Sequence, residues 1–219
     1  MVRSDVDALY DEVLRHRRLL EHPFYRRWEA GELAPGELTA YAGQYRHFER
    51  ALPGVLAEVA RTLPEGEARR LVESNLHDEL ADPEPHVALF DRFADAVGAA
   101  GQVEATPATT ALVDLYRGLA SADPVAALGA VGAYEVQSPA IAQSKALGLR
   151  SLYGLTSEQT RFWDVHGTMD VDHASWTLDA LVALDTPPQV LFDAAAAAAS
   201  AWWAFLDERQ EAAAELASR

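Results

Sequence analysis

The chain has 219 residues, 49% of them hydrophobic, with 18 lysines and arginines against 34 acids and a formal charge of −16 at pH 7. That length suits one large domain, the composition is that of a folded chain, and the acidic excess argues against nucleic acid and anionic membrane surfaces as partners. With no cysteine, disulfides, thiolate zinc sites, iron–sulfur clusters and cysteine nucleophiles are excluded.

The pattern is helical from end to end, because alanine, leucine, arginine and glutamate dominate and period-two runs of β-branched residues are absent. A first helix is expected from Ser4, as its cap, to about Leu20, with Asp5 and Asp7 in the first turn. Pro23 starts a short helix ending at Gly31, and a long one follows from about Gly36 to Thr62, kinked or broken near Pro53. Pro64 suits the first position of a helix reaching Ala81. The segment Asp82-Pro83-Glu84-Pro85 interrupts it before a helix over His86 to Val97. After the glycine loop at 98–101, Thr106-Pro107 and Asp123-Pro124 open two further helices, the second bent at Pro139. Thr156 and Gln159 form a capping box for a helix to about Leu184, and a last helix spans Pro187 to Leu216. The expectation is one all-α domain over residues 1–219, a bundle of about seven to nine helices. Met1 to Asp11 lacks the apolar core of a signal peptide, and no apolar run reaches the length of a membrane span, so a cytoplasmic protein is expected.

Chemistry-bearing residues concentrate in three places. His166, Asp170 and His173 stand at i, i+4 and i+7 and share one helical face, flanked by Phe162, Trp163, Met169 and Thr177 at core spacing. Two imidazoles and a carboxylate on a buried stripe need either a hydrogen-bonded network or a metal ion. Glu79 and His86 lie on either side of the proline break, where a helix corner can aim both at one point or leave them as a solvated turn. Glu135 sits among Val131, Gly132, Ser138 and Ala142, so an isolated carboxylate faces the interior and calls for a salt bridge, a proton or a metal. Three histidines and three carboxylates are the donor mix of two adjacent iron or manganese ions and poor for structural zinc. The paired Glu-x-x-His motifs of ferritin-like bundles are missing. Haem on His16 or His22 would leave the buried carboxylates unexplained.

At this point the chain resembles a known family. His22-Pro-Phe-Tyr25 followed by Tyr41-Ala-Gly-Gln44-Tyr45-Arg-His47-Phe48 resembles the N-terminal half of the TenA/PqqC-like proteins, which have the haem-oxygenase-like fold. Glu79 with His86, a mid-chain glutamate and the His166/Asp170/His173 triplet resemble the ligand set of the haem-oxygenase-like di-iron oxidases. The resemblance implies metal ligands Glu79, His86, Glu135, His166, Asp170 and His173, two Fe(II)/Fe(III) ions with dioxygen as cosubstrate, and no haem. It also implies an oxidoreductase of specialised metabolism that oxidises a small amino-acid-like substrate by N-oxygenation, desaturation or C–C cleavage. Oxidative decarboxylation or desaturation of a fatty or alkyl carboxylic acid is the alternative chemistry, and a metal-free TenA-like binding or regulatory protein the alternative of another class. Substrate contacts are expected from Gln44, Tyr45, His47, Phe48 and Tyr134, with Arg46 or Arg161 as candidates to hold a carboxylate. An electron donor and a second copy of the chain, as a homodimer, complete the expected partners.

Overall fold

Proline starts half of the helices. In the computed structural model, which describes residues 1–81 and 83–217 (side chains to 212), Pro23, Pro35, Pro107, Pro124 and Pro188 each open a helix, where the missing amide hydrogen has no partner to lose. Among the described residues the order is α1 (Arg3–Leu14), a 3-10 turn (Leu19–Glu21), α2 (Pro23–Glu29), α3 (Pro35–Thr62), α4 (Glu67–Ala81), α5 (His86–Ala96), α6 (Pro107–Ala122), α7 (Pro124–Glu135), α8 (Ser138–Ser151), α9 (Arg161–Ala183) and α10 (Pro188–Ala217), with no strand. The all-α bundle is as expected, and the bend anticipated at Pro139 is a boundary between α7 and α8, which brings the helices among the described residues to ten.

The departures have local causes. α1 begins at Arg3 with Val2 as its cap, two residues before the expected Ser4, since the Asp5 carboxylate accepts the Val2 amide at 3.1 Å and so caps the helix from inside its first turn. α3 runs unbroken through Pro53. α4 starts at Glu67 rather than Pro64. The Thr156/Gln159 box forms, with Gln159 Oε1 2.9 Å from the Thr156 amide, but it closes a turn and α9 begins at Arg161. α4 ends at Ala81 and α5 starts at His86; of the intervening link, Asp82 lies outside the described residues.

α7 is the axle. Every residue from Ala126 to Glu135 is buried, the signature of a helix apolar all round, and α3, α6, α9 and α10 pack about it. α10 is its most extensive neighbour. Its stretch Pro188–Ala212 is long and apolar enough by composition to cross a bilayer, contrary to the sequence expectation, because its alanine run counts as apolar. In the fold that stretch lies along α7, α6 and α1, with Ala195, Ala198, Trp202 and Phe205 buried.

The outer side of α3 holds the 97–106 strap. Thr39 donates to the Val97 carbonyl, Gln44 Nε2 to Glu104 O at 2.9 Å, Arg46 to Ala99 O and Gly101 O at 2.7 and 2.6 Å, and His47 Nε2 to Val103 O at 3.0 Å. The inner side of α3 carries Tyr41, Tyr45 and Phe48 into an aromatic core with Tyr25, Phe90, Trp163, Trp202 and Phe205. That division of α3 places one wall of the site described next.

Candidate metal centre

Three segments bring the six expected donors together, all of them buried. Glu79 comes from the last turn of α4 and His86 from the first residue of α5, so the proline-flanked corner aims both at one point. Glu135 is the last residue of α7. His166, Asp170 and His173 project from one face of α9, as their spacing requires.

Glu79 stands between two halves of the group. Its Oε2 is 3.1 Å from His86 Nδ1, and its Oε1 is 4.0 Å from His173 Nδ1. Donor atoms of Glu79, His86 and His166 lie within 4.8 Å of one another, and the His86 and His166 ring centroids are 4.5 Å apart. On the other side, His173 Nδ1 is 3.3 Å from Asp170 Oδ1. Glu135 reaches the same half through the fields of His173 and Asp170.

Neighbouring groups orient each donor. His166 Nδ1 is 2.8 Å from the Phe162 carbonyl; only a protonated nitrogen can face that oxygen, so Nε2 keeps its lone pair. His173 Nε2 faces Asp78 Oδ2 at 3.3 Å, leaving Nδ1 toward Asp170 and Glu79. A carboxylate or carbonyl behind a ligating imidazole is the usual support of a metal-bound histidine. Ser138 Oγ donates to Asp170 Oδ2, and Asn75 Nδ2 donates to Glu135 Oε1 at 2.7 Å, with Thr177 as a further partner. No arginine approaches Glu135 within ion-pair distance among the described residues, so the salt bridge considered from sequence is replaced by an amide and a hydroxyl.

The electrostatics match a site built for cations. Burial alone would raise the Glu79 carboxyl, yet His86, His166 and His173 together hold it below its ordinary range. Asp170 is held low in the same way, against burial, by His166, His173 and Ser138. Burial pushes Glu135 up and His166 down. For His173, burial acts downward but the Asp170, Glu135 and Glu79 carboxylates outweigh it and lift the ring to about 9. Buried imidazoles and carboxylates packed against each other, without thiolate, form a donor set that suits iron or manganese; the residues present fit such an ion.

The expected substrate contacts divide. Tyr45, Phe48 and Tyr134 point inward: the Tyr45 and Tyr134 hydroxyls are hydrogen-bonded, and Tyr134 stacks on Trp202 with centroids 4.4 Å apart. Gln44 and His47 instead secure the 97–106 strap on the outer side of α3. Arg46 is spent there too, on two carbonyls and on Asp91 at 2.8 Å. Arg161 lies in an open surface groove of about 540 Å³ beside Pro83, Glu158 and Met169. His22, weighed as a haem ligand, uses Nδ1 to accept the Phe24 amide and Nε2 toward Asp207 at 3.0 Å, and His16 is exposed.

Several residues of the site escape a reading of the sequence. Lys145, the one lysine of the chain, is buried on α8 with Nζ 4.1 Å from the Trp163 ring centroid and 4.5 Å from that of Tyr25. It donates to the Tyr41 hydroxyl, which pairs with Tyr25 at 2.9 Å. Burial lowers its pKa well below the usual lysine range, only partly offset by Glu49. The signal was present: Ile141, Lys145 and Leu149 form an i, i+4, i+8 stripe, and a lone lysine on an apolar stripe is not a solubilising charge. Glu49, also buried, sits one turn beyond Tyr45.

Comparison with known proteins agrees with this geometry. The profile of the iron-containing redox enzyme family matches residues 39–206. The chain is 35% identical over 216 residues to the 4-aminobenzoate synthase of Nitrosomonas europaea, covering 90% of this chain and 87% of that protein. Among solved structures, a TenA homologue from Pseudomonas syringae pv. tomato superposes with a TM-score of 0.82 at 16% identity, covering 96% of each chain. A domain of unknown function with a haem-oxygenase-like fold from Shewanella denitrificans gives 0.70 at 17% identity, covering 95% of this chain and 90% of that one. The all-α bundle is therefore of the haem-oxygenase-like kind, and the chain belongs to the iron-containing redox enzyme family.

Proposed function

We propose that this chain is a non-haem di-iron oxidase that consumes dioxygen and acts on a small amino-acid-like or aromatic substrate, with 4-aminobenzoate as the first product to seek. The observation that carries the reading is the convergence of Glu79, His86, His166, Asp170, His173 and Glu135 from three separate segments into one buried cluster. The nature of the product rests on the name of the Nitrosomonas europaea relative. When bound, two ferrous ions would supply the electrons that reduce dioxygen, and those six residues would hold them.

The rest of the site prepares the surroundings. Phe162 O and Asp78 fix the His166 and His173 rings, Ser138 turns Asp170, and Asn75 holds Glu135. Tyr25, Tyr41, Tyr45 and Tyr134 line the side toward α2 and α3, with Phe90, Trp163 and Trp202 excluding water. Lys145, its pKa depressed by burial and its Nζ hydrogen-bonded to a phenol, can exchange a proton within that enclosure. An external one-electron donor and a homodimeric assembly belong to the same proposal.

The test is anaerobic loading with Fe(II), followed by oxygen uptake measured at an electrode and mass spectrometry of the products. Iron-dependent oxygen uptake with formation of 4-aminobenzoate is the expected result. Iron-dependent uptake with another product would keep the oxidase and reject the aminobenzoate assignment, and a chain that binds no iron would reject the whole reading.

A further inference from the structure

Glu49 is a carboxylate without an explanation in the six-donor site. It lies on α3, one turn after Tyr45, and is 3% exposed. Its Oε2 has no hydrogen-bond partner, and no ion pair joins Glu49 to a cation among the described residues. A protonated Oε2 would lack an acceptor and an ionised one lacks a donor, so neither protonation state relieves the cost of burying it. The nearest arginines in sequence are turned away: Arg46 to the 97–106 strap and Asp91, and Arg50 to Asp91 at 3.4 Å. Lys145 is near enough to feel the charge, but its Nζ donates to Tyr41 and sits over the Trp163 and Tyr25 rings.

What faces Glu49 most strongly is negative. The Glu79 and Asp170 carboxylates, two of the expected metal donors, act on it more than either Tyr45 or Lys145 does. The His173 ring pairs with Asp170 and Glu79 but leaves Glu49 with no ion pair of its own among the described residues, a cost that a cation shared by the three acids relieves. The charge count points the same way. Glu79, Glu135 and Asp170 supply three negative charges against the four positive charges of two divalent ions, and a fourth buried carboxylate brings the interior to neutrality.

Resting on the metal reading above, we infer that Glu49 is a seventh donor of the centre, a carboxylate from α3 that takes up a divalent transition-metal ion between the α4/α9 donors and the phenol–amine cluster. The donor set becomes three imidazoles and four carboxylates. α3 thereby joins the site directly, and the helix that carries Tyr41 and Tyr45 is tied to the metal by its own side chain.

The experiment is anaerobic titration of the metal-free protein with Co(II), read by its visible absorption, alongside thermal unfolding without metal, for wild type and Glu49→Gln. Wild type is expected to bind two Co(II) per chain. In Glu49→Gln one of the two affinities should fall about tenfold or more, the scale at which lost carboxylate support weakens metal sites, and the absorption of that ion should change. The metal-free variant should melt no lower than wild type, because a buried charge has been removed. Two Co(II) bound with unaltered affinity and spectrum would overturn the assignment of Glu49 and leave the six-residue centre standing. A metal-free variant that melts lower, with metal binding unchanged, would make Glu49 a structural partner of Lys145 and overturn the assignment as well. A wild type that binds no Co(II) would overturn the centre itself.

Discussion

Metal uptake by this chain should release a proton from His173. Burial works against a charge on the ring, but Asp170, Glu135 and Glu79 prevail and hold its pKa near 9. To ligate through Nδ1 the ring must give up that proton. At pH 7, two units below the folded value, the metal competes against a protonated ring, a penalty of about 100-fold in affinity or about 2.7 kcal/mol. The apparent affinity should therefore climb about tenfold per pH unit from 6.5 to 8 and flatten near 9. Calorimetric titration with Co(II) in two buffers of different ionisation enthalpy measures both the slope and the protons released. The metal-free protein should show the opposite trend. A histidine whose folded pKa exceeds its unfolded value of 6.5 contributes stability that is complete below pH 6.5 and is lost as pH rises through about 9, here up to about 3 kcal/mol. Equal Co(II) affinity at pH 6.5 and 8, with no proton release, would refute the placing of His173 among carboxylates that share its charge.

Three further outcomes are expected. Asn75→Ala should lower the melting temperature of the metal-free protein by the equivalent of about 1–3 kcal/mol, since Glu135 loses a 2.7 Å charge-assisted bond, and should weaken metal binding at least tenfold; unchanged binding would detach Glu135 from the centre. Gly132→Ala should destabilise by about 1–3 kcal/mol despite the better helix propensity of alanine. The new Cβ would run into the Tyr10 hydroxyl, approach its Cζ to 2.9 Å and press Thr177 Cγ2 at 3.3 Å; a melting temperature at or above wild type would show that Tyr10 can swing aside. Lys145→Met should change stability by less than about 1 kcal/mol, because a buried side chain whose charge is disfavoured by burial is exchanged for a thioether of similar volume. Oxygen consumption at the wild-type rate in that variant would remove the amine from the chemistry.

The helices were legible wherever punctuation was explicit. Thr106-Pro107 and Asp123-Pro124 start α6 and α7 where they should, with Asp123 accepting the Val125 and Ala126 amides at 2.9 and 3.1 Å. Punctuation misled in two places: Val2, its amide accepted by Asp5, displaced Ser4 as the cap of α1, and Thr156 with Gln159 closed a turn instead of opening a helix. The α9 donors were readable because i, i+4, i+7 is a local relation. Gln44 and His47 were not, because nothing local in α3 says which of its two polar-looking faces meets the strap. Tyr25, Tyr41 and Lys145 come from α2, α3 and α8 and meet only through tertiary packing. Lys145 and Glu49 each broke the expected pattern of a buried stripe, and that breach was the readable sign of the site.

The donor corner also bears on the topology of the whole chain. Without cysteine, no covalent bridge can shorten the unfolded polymer. A metal held jointly by His86 and His166 would pin together positions 80 residues apart in sequence (166 − 86), a loop whose closure entropy is otherwise borne by packing alone. Such an ion is a cross-link that can be withdrawn. Starved of it, the protein would keep its helices but lose that long-range staple, and the population open to proteolysis would rise as ligand-linked stability falls. Metal supply would then govern how long each copy of this protein survives as well as whether it works.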